Sequence, residues 1–175
     1  VYKRQGVITG IMIMPMVVPI VITAVGVYFF FAQIGLANTH LGMILAHTAL
    51  ATPFVVITVT ATLQGFNRNQ IRAGASLGAS PSTVFFKITL PQILPGVISG
   101  ALFAFVTSFD EVVVALFIAG PEQYTLPRQM FAGIREKYNP TIAAVATMMI
   151  VISVLLLVSV ELLRRRNERL RGISK

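Results

Sequence analysis

The sequence predicts an all-α fold, a polytopic membrane helix bundle, on three observations. Hydrophobic residues fill 55% of the 175 positions, charged residues only 11%, and the mean hydropathy is +0.81. A soluble globular chain carries about 25% charge. Four apolar runs each reach the ~20 residues that a helix needs to cross a hydrocarbon core. The basic residues give a formal net charge of +8 but fall in short clusters between those runs. That is the pattern of membrane-protein loops rather than of a nucleic-acid-binding face. Backbone in hydrocarbon must satisfy its own hydrogen bonds, so helices are expected for all four runs.

The first run covers about residues 6–32, GVITGIMIMPMVVPIVITAVGVYFFFA. Pro15 and Pro19 are expected to kink or locally unwind it, which a membrane bundle tolerates where neighbours satisfy the freed carbonyls. Met12, Met14 and Met16 read as apolar filler. The second run, about residues 41–63, has Pro53 near its middle. His40 precedes it and His47 lies near one membrane end; both fit hydrogen-bonded structural residues better than ligands. The third, about residues 93–119, is interrupted by Asp110 and Glu111. The fourth, about residues 141–163, is the cleanest, and RRRNERLR after it fits a stop-transfer and lipid-headgroup anchor. Gly6 with Gly10, and Gly96 with Gly100, are small residues four apart that permit close helix crossings. Packing within the chain is the reading preferred here over a subunit interface.

Lysine and arginine placement orients the bundle. With the first run leaving the cytoplasm, Lys3, Arg4, Arg68, Arg72, Lys87, Arg164, Arg165, Arg166, Arg169, Arg171 and Lys175 fall inside. Only Arg128, Arg135 and Lys137 fall outside. The positive-inside rule selects this orientation, with a cytoplasmic C-terminus. The polar segment between prolines at residues 121–140 is then a short extracytoplasmic helix or a solvated connector.

The insert at about residues 67–91 is cytoplasmic on the same grounds. Asn67 or Asn69 can cap a first short helix, and Gly78 takes its C-terminal capping position. Ser80 followed by Pro81 restarts a second helix through Val84, Phe85, Phe86 and Ile88, with Leu90-Pro91 as its stop. Ala73, Gly74, Ala75 and Ser76 allow a close approach by another surface. Local pattern alone leaves two readings open, a capped hairpin on the membrane surface and a docking element.

Here a resemblance enters. Gly78, nine residues, Ile88, Thr89, Leu90 and Pro91 resemble the cytoplasmic loop motif EAA-x3-G-x9-I-x-LP of ABC-importer permeases. The likeness continues in SFDEVVVALFIAG (residues 108–120), TLPRQMF (125–131) and NPTIAAV (139–145). Together these are similar to the MetI-like permeases of the spermidine/putrescine type, over essentially the whole chain. The resemblance implies four transmembrane helices plus a helical coupling loop that docks into a cleft of a cytoplasmic ATPase. The docking residues it implies are Arg72, Ala73, Gly74, Gly78, Ile88, Leu90 and Pro91. Arg72-Ala73-Gly74 stands where the motif has Glu-Ala-Ala, reversing one charge. The other implied partners are a second permease and an extracytoplasmic solute-binding protein, in the bacterial inner membrane. The chain begins at Val1 with no signal-peptide pattern. It reads as one membrane domain, residues 1–175, without its true N-terminus, and the resemblance implies that one or two spans normally come first.

No catalytic chemistry is written into the sequence. It contains no cysteine and no G-x-x-x-x-G-K-[ST] phosphate loop, HExxH or GxSxG. No metal site or cofactor is expected, and ATP falls to a partner subunit. Asp110 and Glu111 are candidate pathway residues, because ionisable groups at membrane depth usually face a bundle interior or a water-filled cavity. Carboxylates there suit the ammonium groups of a polyamine; the alternative is that they mark a broken helix and bind internal partners. Adjacent helical residues point about 100° apart, so both are not expected on one pore wall. Two other functions stay open, a self-contained ion- or proton-coupled carrier using the acidic pair and an importer for another solute such as an amino acid or opine. A non-transporting remnant is a third.

Overall fold

The computed structural model describes residues 2–136 and 140–170. Lys137 and Asn139, and Arg171 and Lys175 of the tail, lie outside the described residues. Every regular element is helical: α1 (Tyr2–Val17), α2 (Ile20–Gln33), α3 (His40–Gln64), α4 (Asn69–Ser76), α5 (Pro81–Val84), a π-helical turn (Phe85–Thr89), α6 (Leu90–Phe109), α7 (Val113–Ile118), α8 (Leu126–Glu136) and α9 (Pro140–Leu170).

Three runs are long and apolar enough by themselves to cross a membrane: α3, the continuous stretch Pro81–Phe109, and Pro140–Ser159 within α9. The segment predicted as the first span is not one straight helix. It breaks after Val17, and α2 departs from α1 at 108°. The cause is local. A residue before proline is pushed out of helical space, and Pro19 itself is extended at φ −53° and ψ 131°. Its carbonyl then accepts the Thr23 N–H at 3.1 Å, starting α2 in its new direction.

The expected stop at Leu90-Pro91 is also absent. Proline cannot donate, and its ring crowds the carbonyl four residues back. The chain absorbs this by widening one turn, with the Leu90 N–H reaching the Phe85 carbonyl across five residues. The helix therefore runs unbroken from the insert into the membrane span. The third predicted run ends earlier than expected, at Phe109, and α7 follows as a separate short helix after Asp110, Glu111 and Val112.

The long helices α3 and α6 pack antiparallel. A Cβ on Gly96 would collide with Thr62 Oγ1, and one on Gly100 would lie 3.0 Å from Val55 Cα. These two glycines thus make an intrachain crossing, continued by Phe54 stacked on Phe103 with ring centroids 6.3 Å apart. Gly6 and Gly10 differ, since nothing lies within 4 Å of a Cβ at either. α1 packs on α3, and α9 touches only α6 and α8 to any extent.

The α4–α5 hairpin caps one end of the α3–α6 pair. At the other end, about 37 Å away along 25 residues of α3, α2 and α7 pack together. The small buried core sits there: Ala24, Phe31, Ala46, Val114 and Ile118. Asn38 ties the α2–α3 loop to it by donating its N–H to the Ile118 carbonyl at 2.9 Å. Most other large apolar side chains are exposed, and none of the most apolar stretch of α9 is buried. Such a surface requires lipid or partner subunits around it.

Candidate functional site

Two polar features stand out, one at each end. The first is the hairpin. Asn67 Oδ1 accepts the Asn69 N–H at 3.0 Å, opening α4. Its other end closes in a Schellman motif: Ala79 N–H reaches the Gly74 carbonyl at 3.1 Å and Gly78 N–H the Ala75 carbonyl at 3.0 Å. Gly78 takes φ +78°, which only glycine adopts without strain. Ser80 restarts the chain, its Oγ accepting the Thr83 N–H at 3.3 Å with Pro81 in the first turn.

The two arms are then clamped on each other. Gly74 is buried, and a Cβ there would meet Ile88 Cδ1 at 2.8 Å and Val84 Cγ2 at 3.3 Å. The Gln92 amide donates to the Gln70 side-chain oxygen, holding α4 to the base of α6. Gly74 and Ile88, predicted as docking residues, therefore face each other inside the hairpin. Leu90 and Pro91 are half-buried where the hairpin joins α6. Arg72, Ala73 and Gly78 are exposed. So is Leu77, at 89%, with Phe86 at 63%. Leu77 was not singled out from sequence, although its place one residue before the capping glycine was a usable signal.

The second feature is the corner between α6 and α7. Glu111 is 5% exposed. Its Oε1 accepts the Val114 N–H at 2.7 Å and its Oε2 the Ala115 N–H at 2.9 Å, so the carboxylate caps α7. His47 on α3 approaches from the side, with Nε2 3.8 Å from Glu111 Oε2 and Nδ1 2.8 Å from Ser108 Oγ. Asp110 points elsewhere. It is exposed and borders two clefts, one of about 530 Å³ with Met130 and Met149, the other of about 690 Å³ at the α1–α2 break with Pro15 and Pro19. Its carboxylate makes no hydrogen bond or ion pair among the described residues. The acidic pair thus divides, one carboxylate turned in and one turned out.

Beyond the corner, the segment expected to be extracytoplasmic forms the amphipathic α8. Arg128 Nη1 donates to the Gly120 carbonyl at 3.1 Å and its guanidinium stacks 4.6 Å over the Tyr124 ring. Gly120 N–H in turn reaches Gln123 Oε1 at 3.1 Å, so this connection is internally bonded. Among the described residues no cluster of His, Cys, Asp or Glu could hold a metal ion.

The architecture is a helical bundle with three candidate membrane spans, or up to four if the bent pair is one, and a clamped polar hairpin at one end. The description "binding-protein-dependent transport system inner membrane component" matches residues 3–170, and the chain belongs to that family. The spermidine/putrescine transport system permease protein PotC of Haemophilus influenzae is 34% identical over 166 residues, covering 95% of this chain and 65% of that protein. The putrescine transport system permease protein PotI of Escherichia coli is 39% identical over 142 residues, covering 78% and 50%. The chain therefore spans 65% and 50% of the lengths of these two relatives. A structure of the MetNI methionine ABC transporter in inward-facing conformations superposes with a TM-score of 0.73 over 95% of this chain and 75% of its own. At 21% identity it establishes the MetI-like fold alone.

Proposed function

We propose that this chain is a permease subunit of an ATP-binding-cassette importer, carrying a small cationic solute of the polyamine class across the bacterial inner membrane. The observation that carries the reading is the hairpin. It is held rigid by contacts inside the chain, yet its tip is bare, and it lies at the end away from the buried core. A hairpin that needed only to lie on lipid would not require Gly74 cleared for Ile88. A lever needs that stiffness. Energy from ATP hydrolysis on two cytoplasmic ATPase subunits enters through Arg72, Ala73, Leu77 and Gly78. The π-turn, helical without interruption, passes the motion from the hairpin into α6 and so into the α3–α6 pair.

The polyamine assignment rests on the names of the relatives and on Asp110, an exposed carboxylate among apolar clefts. A second permease faces the exposed sides of the bundle, and a solute-binding protein approaches the α2–α7–α8 end. The basic residues at the hairpin support a cytoplasmic side for it. The test is co-purification of the full-length protein with a nucleotide-binding ATPase, followed by ATP-dependent uptake of labelled putrescine and spermidine in proteoliposomes. Recovery of the chain alone, still transporting without ATP, would overturn the reading in favour of a self-contained carrier.

A further inference from the structure

His47, Ser108 and Glu111 come from three elements: the first half of α3, the last turn of α6 and the corner before α7. They meet where α3, α6 and the corner come together. His47 and Ser108, but not Glu111, also line a cavity of about 840 Å³ together with Thr48, Thr52, Val55 and Phe105. Nδ1 of His47 has its partner in Ser108 at 2.8 Å. Nε2 is buried and has no hydrogen-bond partner among the described residues, although Glu111 Oε2 is 3.8 Å away.

The chemistry of the three groups assigns the proton. Both Glu111 oxygens already serve as acceptors for backbone N–H groups. An Nε2 lone pair aimed at that carboxylate would be repulsive in an apolar interior, whereas an Nε2–H is attracted to it. A neutral ring is therefore protonated at Nε2, and the Ser108 hydroxyl donates to Nδ1. A distance of 3.8 Å exceeds hydrogen-bonding range, and an approach of about 1 Å would close the contact. α3 and the corner are thus poised to latch.

The geometry points to His47 as a positioning residue for Asp110. His47 acts through Glu111, whose backbone is continuous with Asp110. Closing Nε2–H on Glu111 fixes the corner against α3 and sets where the exposed Asp110 carboxylate stands between its two clefts. Ser108 holds the ring at the angle this requires. The inference deepens the transport reading and rests on it for its consequence in uptake, but the proton assignment stands on geometry alone.

Two measurements test it, and they fail separately. The chain has two histidines, and His40 is exposed. With His40 and every histidine outside these 175 residues replaced by Gln, the nitrogen NMR of the full-length protein in lipid nanodiscs reports His47 alone. The expected signal carries its proton on Nε2 and shifts when Glu111→Gln is added. A proton on Nδ1, or a signal indifferent to Glu111→Gln, would overturn the latch whatever the protein transports.

In putrescine uptake, His47→Gln places an amide donor near the Nε2 position and should keep KM within about threefold. His47→Asn reaches Ser108 but not Glu111, and should raise KM about tenfold, the size of one hydrogen bond to a charged group. Equal KM values for the two variants would overturn the positioning role. Equal losses of Vmax at unchanged KM would mark a merely structural histidine. Absence of ATP-driven uptake in the unmodified protein would sink the transport reading and leave the spectroscopic test intact.

Discussion

The hairpin and the α6–α7 corner both interrupt an apolar chain with polar residues, and both send one group inward and leave another outside. In the hairpin the inward position is Gly74, an absent side chain that lets Ile88 close in, and the outward positions are Leu77 and Phe86. In the corner the inward group is the Glu111 carboxylate, and the outward one is Asp110. An exposed leucine on a rigid tip asks for a protein surface with an apolar recess. An exposed carboxylate asks for water or a cation. The two ends of α6 are thus suited to different partners, and a single helix joins them.

Four substitutions sharpen this contrast, taken from the largest expected effect down. Glu111→Leu should be the most damaging to the fold. It strands the N–H groups of Val114 and Ala115, each unsatisfied donor costing about 1–3 kcal/mol. Thermal unfolding of the purified protein should shift well below that of the parent, while the hairpin end keeps its protease resistance. Gly78→Glu comes next and acts at the opposite end. Its φ of +78° costs a side-chain residue about 1–2 kcal/mol, and the new bulk and charge obstruct the tip. Uptake should fall more than tenfold with little change in the melting of the bundle, and wild-type uptake would argue against docking there.

Gly74→Leu should cost about 1–3 kcal/mol by overpacking, confined to the hairpin because the clash is with Ile88 and Val84. Hydrogen exchange should rise across α4 and α5 and not across α7. Asp110→Asn is the mildest for stability, within about 0.5 kcal/mol as befits an exposed site. It should raise KM for a polyamine while leaving the melting temperature alone. An equal stability loss from Asp110→Asn and Glu111→Gln would erase the distinction between the two carboxylates.

What was readable in the sequence follows from how far apart the partners lie. The hairpin's caps are local: Asn67 serves Asn69, Gly78 closes α4, and Ser80 opens α5 within three residues. All three were visible as residue types at fixed offsets. The intrachain role of Gly96 and Gly100 was also anticipated, whereas Gly6 and Gly10, of identical spacing, meet nothing within the described chain. Spacing alone does not say which face a glycine presents. Prolines were legible in part. The expected local unwinding occurs at Pro19, with a bend of 108°, whereas Pro91 ends nothing because a widened turn accommodates it.

The docking set divides for the same reason. Its motif spacing is linear, but whether a member faces outward depends on how the arms fold over each other, which turns Gly74 and Ile88 inward. The contact between His47 and Ser108 spans 61 positions, and nothing in either neighbourhood announces it. Glu111 was within reach, since a carboxylate two residues before an apolar helical stretch can accept the free N–H groups of its first turn. The helix break it creates was already one of the two readings of the acidic pair.

The most direct test of the account uses the absence of cysteine from the chain. A Leu77→Cys substitution, with any cysteine outside these 175 residues replaced by serine, gives the hairpin tip the subunit's lone thiol, which a short thiol-to-amine cross-linker can then probe in membranes that express the full transporter. The account predicts a covalent adduct with a nucleotide-binding ATPase subunit, lost when Gly78→Glu is added. A thiol that reacts freely with a water-soluble maleimide and yields no adduct in the assembled complex would contradict it, and the hairpin would then be no more than a stiff loop at the membrane surface.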